Sequence, residues 1–271
     1  RTRGFPDVRA LPGDELIDAL EESYRKYGTD GTIVVTRSNK RAGRFNAGIR
    51  SRILDLEGEL CSGDLIMVAK NNYYWTEAAS PLPAPSSGES PCSAASSSQA
   101  LPQKGSREGT TLSFIANGDV ARIRRLRNER SFYGFRFADA TIVLPDYGDL
   151  EMNVTILLDT LQSEAPALTR EQQQALFNGV WEDYPEISNR RDRMMRLRMD
   201  PYYNALQIKY AYAVTCHKAQ GGQWEHVYID QGYVTEEMLT PDYFRWLYTA
   251  LTRATEQVYL INWPASALDD D

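Results

Sequence analysis

The stretch Thr32-Ile33-Val34-Val35-Thr36, with the polar run Arg37-Ser38-Asn39-Lys40-Arg41 directly behind it, decides the fold class. A short β-branched run is typical of a strand that is buried on both faces in a parallel sheet. Either Ser38 or Asn39 can cap the helix that follows. That helix carries a single apolar stripe, made of Ala42, Phe45, Ile49 and Ile53. The stretch therefore predicts a strand–loop–helix unit of an α/β protein, with polar side chains where the strand ends.

The same pattern returns in the last quarter of the chain. Alternating apolar residues at 208–214 lead into a polar loop, Thr215-Cys216-His217-Lys218-Ala219-Gln220-Gly221-Gly222-Gln223-Trp224. A strand at 227–229, a helix that Thr240-Pro241 opens and a last strand at 258–261 follow. Because parallel sheets bind ligands at the carboxyl ends of their strands, we expect the loops after Thr36 and after Val214 to converge on one crevice.

Short apolar runs separated by turn signals lie between these two parts. The runs are at 65–69, 120–123, 141–144 and 154–158, and the turns include Gly63-Asp64 and Asn117-Gly118-Asp119. This spacing predicts a small antiparallel β-barrel, followed by a helix over 168–180 that Thr169 caps. We therefore divide the chain into a first part of the α/β domain at 1–59, an inserted barrel with a helical return at 60–205, and a second part of the α/β domain at 206–271.

Residues 79–110, within the barrel module, differ in composition from the rest of the chain. They are dominated by Ser, Ala, Pro and Gly and contain almost no large apolar residues. Such a segment cannot bury enough surface to offset its ordering entropy. We therefore predict that it is a flexible insertion.

The chain of 271 residues has a net charge of −7, which excludes a uniformly basic surface for nucleic acid. The charge is unevenly distributed, because two arginine runs each sum to +4. These runs are Arg122, Arg124, Arg125, Arg127 and Arg130 against Glu129, and Arg190, Arg191, Arg193, Arg196 and Arg198 against Asp192. Two interpretations stay open: the runs are solvated faces, or they contact phosphate, which suits the planar fork of arginine.

Cysteine and histidine are scarce. The three cysteines form no Cys-x-x-Cys pair and the only histidines are His217 and His226, so we expect no metal site, no disulfide framework and a reducing cytoplasm. No apolar run approaches the roughly 18 residues of a membrane span, so no membrane partner is expected. The lack of an initial Met favours a fragment of a longer protein, and we expect this fragment to be monomeric.

Three polar segments resemble motifs of superfamily-1 DNA helicases of the RecD-like branch. Thr215-Cys216-His217-Lys218-Ala219-Gln220-Gly221 resembles motif V, Tyr248-Thr249-Ala250-Leu251-Thr252-Arg253-Ala254 resembles motif VI, and Thr36–Arg41 looks like motif IV. Their order, with a barrel between motifs IV and V, agrees with that family along the chain apart from the Ser/Pro-rich segment. The resemblance implies the second RecA-like lobe of a helicase, a parallel sheet of the P-loop NTPase type with an inserted small antiparallel β-barrel.

The resemblance also implies roles for individual residues. Arg37 and Arg253 would be catalytic arginines at the γ-phosphate of ATP, because a guanidinium stays charged and can neutralise the charge that develops during phosphoryl transfer. Gln223 stands where many relatives have Glu, and it would contact the nucleotide with altered strength, because an amide both donates and accepts. Single-stranded DNA would contact four residues of motif V, which are Thr215, His217, Lys218 and Gln220.

The sequence contains no GxxxxGK[ST] phosphate loop and no strand that ends in Asp-Glu to hold magnesium. The resemblance therefore implies that ATP and Mg²⁺ are bound mainly by an N-terminal RecA-like lobe of the same full-length protein, and that the fragment alone does not turn over. The implied function is the C-terminal motor lobe of an ATP-dependent DNA helicase. The alternative is a non-catalytic nucleic-acid-binding or scaffold module derived from a helicase lobe. A nuclease is disfavoured because no loop gathers paired carboxylates.

Overall fold

A computed structural model of the chain describes residues 5–79 and 112–263. The predicted flexible segment 79–110 lies outside the described residues except for its first position. None of the helices in the described ranges is long and apolar enough to cross a membrane.

Ten strands and six α-helices make up the described fold. The first half contains β1 (Val8–Leu11), α1 (Leu16–Tyr27), β2 (Thr32–Thr36), α2 (Asn39–Gly48), β3 (Leu65–Val68), α3 (Tyr74–Ala79), β4 (Val120–Phe132) and β5 (Phe135–Leu144). The second half contains β6 (Leu150–Leu157), α4 (Arg170–Glu182), α5 (Arg190–Arg198), β7 (Leu206–Tyr210), β8 (Ala213–Thr215), β9 (Trp224–Asp230), α6 (Pro241–Leu251) and β10 (Ala254–Ile261). A π-helical turn, Ile49–Ile53, continues α2.

Five strands form a parallel sheet in the order β1-β10-β9-β2-β8, which we call the lobe together with its helices. All five residues of β2 are buried between neighbours on both sides, so the prediction drawn from its β-branched run is confirmed. Ser38 caps α2, because its Oγ accepts a hydrogen bond from the backbone N–H of Arg41 at 3.3 Å.

The remaining five strands close into a barrel in the order β3-β4-β5-β6-β7. Four of the neighbouring pairs, including the β7–β3 closure, are antiparallel, but β6 and β7 run parallel. The expectation of an antiparallel barrel is therefore wrong at this one pair. The reason lies in the connection: the chain leaves β6 through α4 and α5 instead of a tight hairpin, and a crossover of that length returns it in the same direction.

The alternating run at 208–214 is two strands with different partners. Up to Tyr210 it belongs to β7, which pairs with β3 and β6 in the barrel. After Ala211 and Tyr212 it becomes β8, which pairs with β2 in the parallel sheet. Residues 206–210 therefore lie in the barrel, although the sequence pattern groups them with the second part of the α/β domain.

The chain passes between the lobe and the barrel at two points that share one buried hydrogen-bond cluster, which we call the junction. Asp64, with 0% exposure, accepts from the Nε and Nη2 of Arg50, both at 2.8 Å. The same carboxylate accepts from the Oη of Tyr212 at 2.8 Å and from the backbone N–H of Cys61 at 2.7 Å. The segment that leads into the barrel and the segment that leaves it are thus hydrogen-bonded to the same carboxylate.

A second, smaller core lies on the outer face of the barrel. Phe135, Phe137 and Leu157 pack there against Leu176 and Val180 of α4 and Leu197 of α5. Helix α4 begins with a capping box, because Thr169 and Gln172 each bond the other's backbone, so the predicted cap at Thr169 is confirmed.

Candidate functional site

The polar loops that follow β2 and β8 start side by side. Thr36 at the end of β2 is in register with Thr215 at the end of β8 and with Asp230 at the end of β9. The backbone N–H of Cys216 donates to the carbonyl of Thr36 at 3.2 Å. The predicted convergence of these two loops at one edge of the sheet is confirmed.

An ion pair fixes the first turn of α2 at this edge. Arg41 donates to both carboxylate oxygens of Asp230, with Nη2 at 2.6 Å from Oδ1. Asp230 is almost fully buried, and its hydrogen bonds and charge raise the pKa of Arg41. The helix therefore cannot move away from β9 without leaving a buried carboxylate unpaired, which costs several kcal/mol, on the order of 3–5.

Arg37, the first residue after β2, is exposed and lies against helix α6. Its Cζ is 5.5 Å from the ring centre of Tyr243 and 5.8 Å from that of Trp246. Among the described residues it has no ion-pair partner. Aromatic faces hold a guanidinium in place without consuming its N–H donors, so these donors stay available to an anion.

Arg253 follows the C-terminus of α6 and bonds to oxygen atoms that carry no formal charge. Its Nε donates to the carbonyl of Thr249 at 3.0 Å, its Nη1 to the carbonyl of Gly222 at 3.2 Å, and its Nη2 to the Oγ1 of Thr252 at 3.0 Å. The guanidinium has five N–H donors, so two remain for another ligand. It also lies where the helix dipole favours a cation.

Helix α6 connects the two arginines but keeps them apart. Arg37 contacts its first turns and follows Thr36, which is in register with Asp230 at the end of β9. Arg253 comes after its last residue and precedes Ala254, which is in register with Trp224 at the start of β9. At 3.3 Å per residue, the levels of Thr36 and Ala254 are about 20 Å apart along β9. Cys216 lies between them, because its Sγ donates to the carbonyl of Trp246 at 3.4 Å and its thiol is close enough to Arg253 to feel that charge. Burial nevertheless raises the pKa of Cys216 to about 11, so it is a neutral packing residue.

A cleft of about 540 Å³ lies between the lobe and the barrel and contains two of the predicted site residues. Thr215 and Lys218 line it from the loop after β8. Lys40 and Arg44 line it from α2, Lys209 and Tyr210 from β7, and Gln162, Ser163 and Glu164 from the segment after β6. A cleft of this size, with basic groups on two sides, can hold a phosphate-bearing ligand.

Lys209 and Lys218 line this cleft without a carboxylate partner among the described residues. Burial, together with the charge of Lys218, lowers the pKa of Lys209 to about 8. Burial also lowers the pKa of Lys218. Lys209 donates to the carbonyl of Ser163, and Glu164 is 3.3 Å from the Nζ of Lys40 at the cleft rim. An anion in the cleft would therefore face two ammonium groups that no described carboxylate pairs.

The other predicted residues of the loop lie outside the cleft. His217, Gln220 and Gln223 are exposed, and their side chains make no hydrogen bond with the described residues. Gln223 follows Gly222, whose carbonyl accepts from Arg253, so Gln223 lies near Arg253 rather than near Thr215. The structure thus brings Gln223 close to Arg253 and places Thr215 and Lys218 in the cleft, while Arg37 lies against α6 and belongs to neither set.

The donor sets fit phosphate better than a metal. Arg37 and Arg253 each offer free N–H groups, which phosphate oxygens can accept. In the described ranges no group of three or more His, Cys, Asp or Glu side chains is placed to hold a metal ion. Any Mg²⁺ that accompanies the nucleotide would need its ligands from outside this part of the chain.

Residues 210–261 match the family model described as the UvrD-like helicase C-terminal domain. The matched segment contains the loop after β8, helix α6 and Arg253. This match supports a C-terminal half of a superfamily-1 helicase. The parallel sheet and the closed five-stranded barrel fit such a helicase lobe.

Among solved structures, the chain is similar to the Pif1 helicase from Candida albicans, with 12% sequence identity and a TM-score of 0.31. The likeness covers 99% of this chain and 48% of that one, so the chain spans about half the length of that helicase. No curated protein sequence matches the chain.

Three residues that line the cleft were missed in the sequence. Lys40 was visible only as part of the polar run that resembles motif IV, Arg44 as a polar position of the following helix, and Lys209 as one charged position in an apolar alternation. The charge inside that alternation was a usable signal, because a strand that is buried on both sides seldom contains a lysine without a reason.

Proposed function

We propose that the chain is the second RecA-like lobe of an ATP-dependent DNA helicase of superfamily 1, of the RecD-like branch. The observation that carries the proposal is the family match over residues 210–261, because it includes both the polar loop and Arg253. The geometry supports it, since the loops after β2 and β8 start from neighbouring strands at one edge of a parallel sheet.

In this proposal the lobe completes a nucleotide site whose Mg²⁺ and phosphate loop belong to another RecA-like lobe. Arg37 and Arg253 donate to the γ-phosphate, where arginines of this kind contribute on the order of 10³ to 10⁵ in rate. Gln223, next to the carbonyl partner of Arg253, contacts the nucleotide from the same side.

Single-stranded DNA lies in the cleft between the lobe and the barrel. Thr215 and Lys218, with Lys40 and Lys209 opposite, donate to its phosphate oxygens, which gives binding without sequence preference. His217 and Gln220, on the exposed side of the same loop, contact the strand outside the cleft.

The loop after β8 provides a physical connection between the two sites. It begins at Thr215 in the cleft and reaches Gly222, whose carbonyl accepts from Arg253. If Arg253 turns towards a phosphate, this bond is stretched or broken, and the loop is freed to change its position in the cleft. Binding of ATP would thereby change the contacts that the loop makes with single-stranded DNA.

The test is Arg253→Ala in the full-length protein that contains this chain and a phosphate-loop lobe. We expect DNA-stimulated ATP hydrolysis to fall by on the order of 10³, because an arginine at the γ-phosphate is removed. Arg253→Lys should recover only part of the rate, since an ammonium cannot reproduce the fork. Arg245→Ala on the same helix is the control, because Arg245 is exposed and pairs only with Asp242 among the described residues.

An unchanged ATPase in Arg253→Ala would contradict the nucleotide role. The 271-residue chain by itself should not hydrolyse ATP with Mg²⁺ and DNA present, and robust turnover would show that the first lobe is dispensable. A full-length protein that binds DNA but lacks any DNA-stimulated ATPase would favour the alternative, a non-catalytic nucleic-acid-binding module.

A further inference from the structure

The two arginine runs have different positions in the fold. In the run on α5, Arg193 lies 4.4 Å from the ring of Trp181 and its Nε donates to the carbonyl of that residue at 3.0 Å. Arg196 lies 5.6 Å from the ring of Tyr184. These two arginines therefore pack α5 onto the end of α4, and the second run is in part structural.

The first run lies along β4, on the outside of the barrel. Arg125 is opposite Thr141 and Arg127 is opposite Asp139 on β5, and Thr141 is in turn opposite Asn153 on β6. Directly opposed residues share a face, and Leu126, opposite the buried Ala140, points to the other one. The side chains of Arg125 and Arg127 therefore stand on the same outer face, about 7 Å apart along the strand.

Most arginines of this run already have a carboxylate partner. Arg122 pairs with Asp30 at 2.8 Å, Arg124 pairs with Glu151, and Arg130 pairs with Asp139 at 2.9 Å.

Arg125 and Arg127 are the exceptions. Both are exposed and form an ion pair with none of the described residues. Asp139, which faces Arg127, already accepts from Arg130 and from Asn128, each at 2.9 Å. The two guanidinium groups thus provide the unneutralised charge of this face.

We propose that this outer face, centred on Arg125 and Arg127, binds the phosphate backbone of double-stranded nucleic acid. Arginine forks match phosphate oxygens, and the hydroxyl and amide of Thr141 and Asn153 add hydrogen-bonding groups beside them. The proposal rests on the proposed function only in taking nucleic acid as the ligand.

The surroundings of the two arginines favour a duplex over the other ligands. A protein partner would need an apolar anchor, but no large apolar side chain of β4 before Phe132 is exposed. A single strand is typically held by stacking on aromatic rings, and none lies in register beside Arg125 or Arg127. The exposed outer surface of β4, β5 and β6, with its two free arginines, suits the rigid backbone of a duplex.

The test measures binding of a short blunt-ended DNA duplex to the 271-residue chain over a range of salt concentrations. In Arg125→Glu/Arg127→Glu we expect at least a tenfold weaker affinity at low salt. The slope of log affinity against log salt should become shallower by about two, one for each phosphate that the variant no longer neutralises. Arg125→Lys/Arg127→Lys should retain most of the slope, because it keeps both charges.

Arg25→Glu/Arg52→Glu is the matched control, because it makes the same change in net charge at two exposed arginines of the lobe. An equal loss in this control, an unchanged slope in the barrel variant, or no duplex binding by the unaltered chain would overturn the proposal. Circular dichroism shows whether each variant is folded. Binding of single-stranded oligo(dT), measured in parallel, tests the cleft and should be little affected by the barrel variant, so the two proposals can fail separately.

Discussion

The junction and the cleft both lie between the lobe and the barrel, and both take basic side chains out of water. In the junction, the guanidinium of Arg50 meets a carboxylate, and every oxygen of Asp64 has a donor. In the cleft, Lys209 and Lys218 face each other without a carboxylate, and their pKa values are lowered. The lobe and the barrel thus share one cluster in which the buried charges are paired and one in which the basic groups have no acidic partner.

This difference separates a structural cluster from a binding site. A buried ion pair contributes when its hydrogen bonds are all made, and removing one partner leaves a buried charge unpaired. Unpaired ammonium groups cost free energy in the free protein, and an anionic ligand recovers that cost when it binds. Each of the following variants changes one side of the comparison and leaves the other intact.

The largest effect is expected from Asp64→Ala in the junction. It leaves Arg50 buried without a carboxylate and removes the acceptor for Tyr212, so the free energy of unfolding should fall by about 3–5 kcal/mol. Chemical denaturation followed by circular dichroism measures it. The matched control is Asp30→Ala, which removes the carboxylate of an exposed pair with Arg122 at 2.8 Å and should cost no more than about 1 kcal/mol. Equal losses in the two variants would show that the buried pair in the junction stabilises the protein no more than an exposed pair does.

A smaller effect, on binding instead of stability, is expected from Lys218→Ala in the cleft. Removing one ammonium that faces a phosphate should weaken the affinity for oligo(dT) by roughly tenfold at low salt, while the free energy of unfolding stays level or rises slightly. Fluorescence anisotropy measures the affinity. Lys70→Ala is the control, because Lys70 is exposed on the barrel and bonds only to Gln173 among the described residues. An undiminished affinity in Lys218→Ala would show that single-stranded DNA does not bind in the cleft.

The smallest effect is the pH dependence that Lys209 should give to the binding of single-stranded DNA. Its pKa is lowered to about 8, so its ammonium predominates below that pH and is neutralised above it. The affinity for oligo(dT) should therefore fall by a factor of a few as the pH rises through about 8, because a neutral amine attracts phosphate less strongly than an ammonium does. In Lys209→Arg the charge persists, so the affinity should stay level across the same range. A pH profile that is the same in both proteins would contradict the role of Lys209.

The local parts of the fold could be predicted because their causes lie within a few residues. Burial of β2 follows from its own β-branched side chains, and the caps at Ser38 and Thr169 follow from backbone groups three residues away. The edge of the sheet at Thr36 and Thr215 was predictable too, because parallel strands align their carboxyl ends.

The remaining features depend on partners that are distant along the chain. Asp64 was visible only as a turn residue, yet its burial depends on Tyr212, which is 148 positions away. Lys209 lines the cleft on a strand that pairs with β3 and β6, and no local pattern specifies those partners. The contact of Arg253 with Gly222 likewise depends on how α6 and the loop after β8 pack together.

The junction also determines how separable the two parts of the molecule are. The barrel begins at β3, directly after Asp64, and ends at β7, two residues before β8, and Asp64 and Tyr212 at these two points are bonded to each other at 2.8 Å. A module whose ends meet in space can be lengthened, shortened or exchanged without re-routing the host chain. The five strands of the lobe pair only with one another. The barrel is therefore an insertion whose length and outer surface can vary while the sheet that carries Arg37 and Arg253 keeps its strand order.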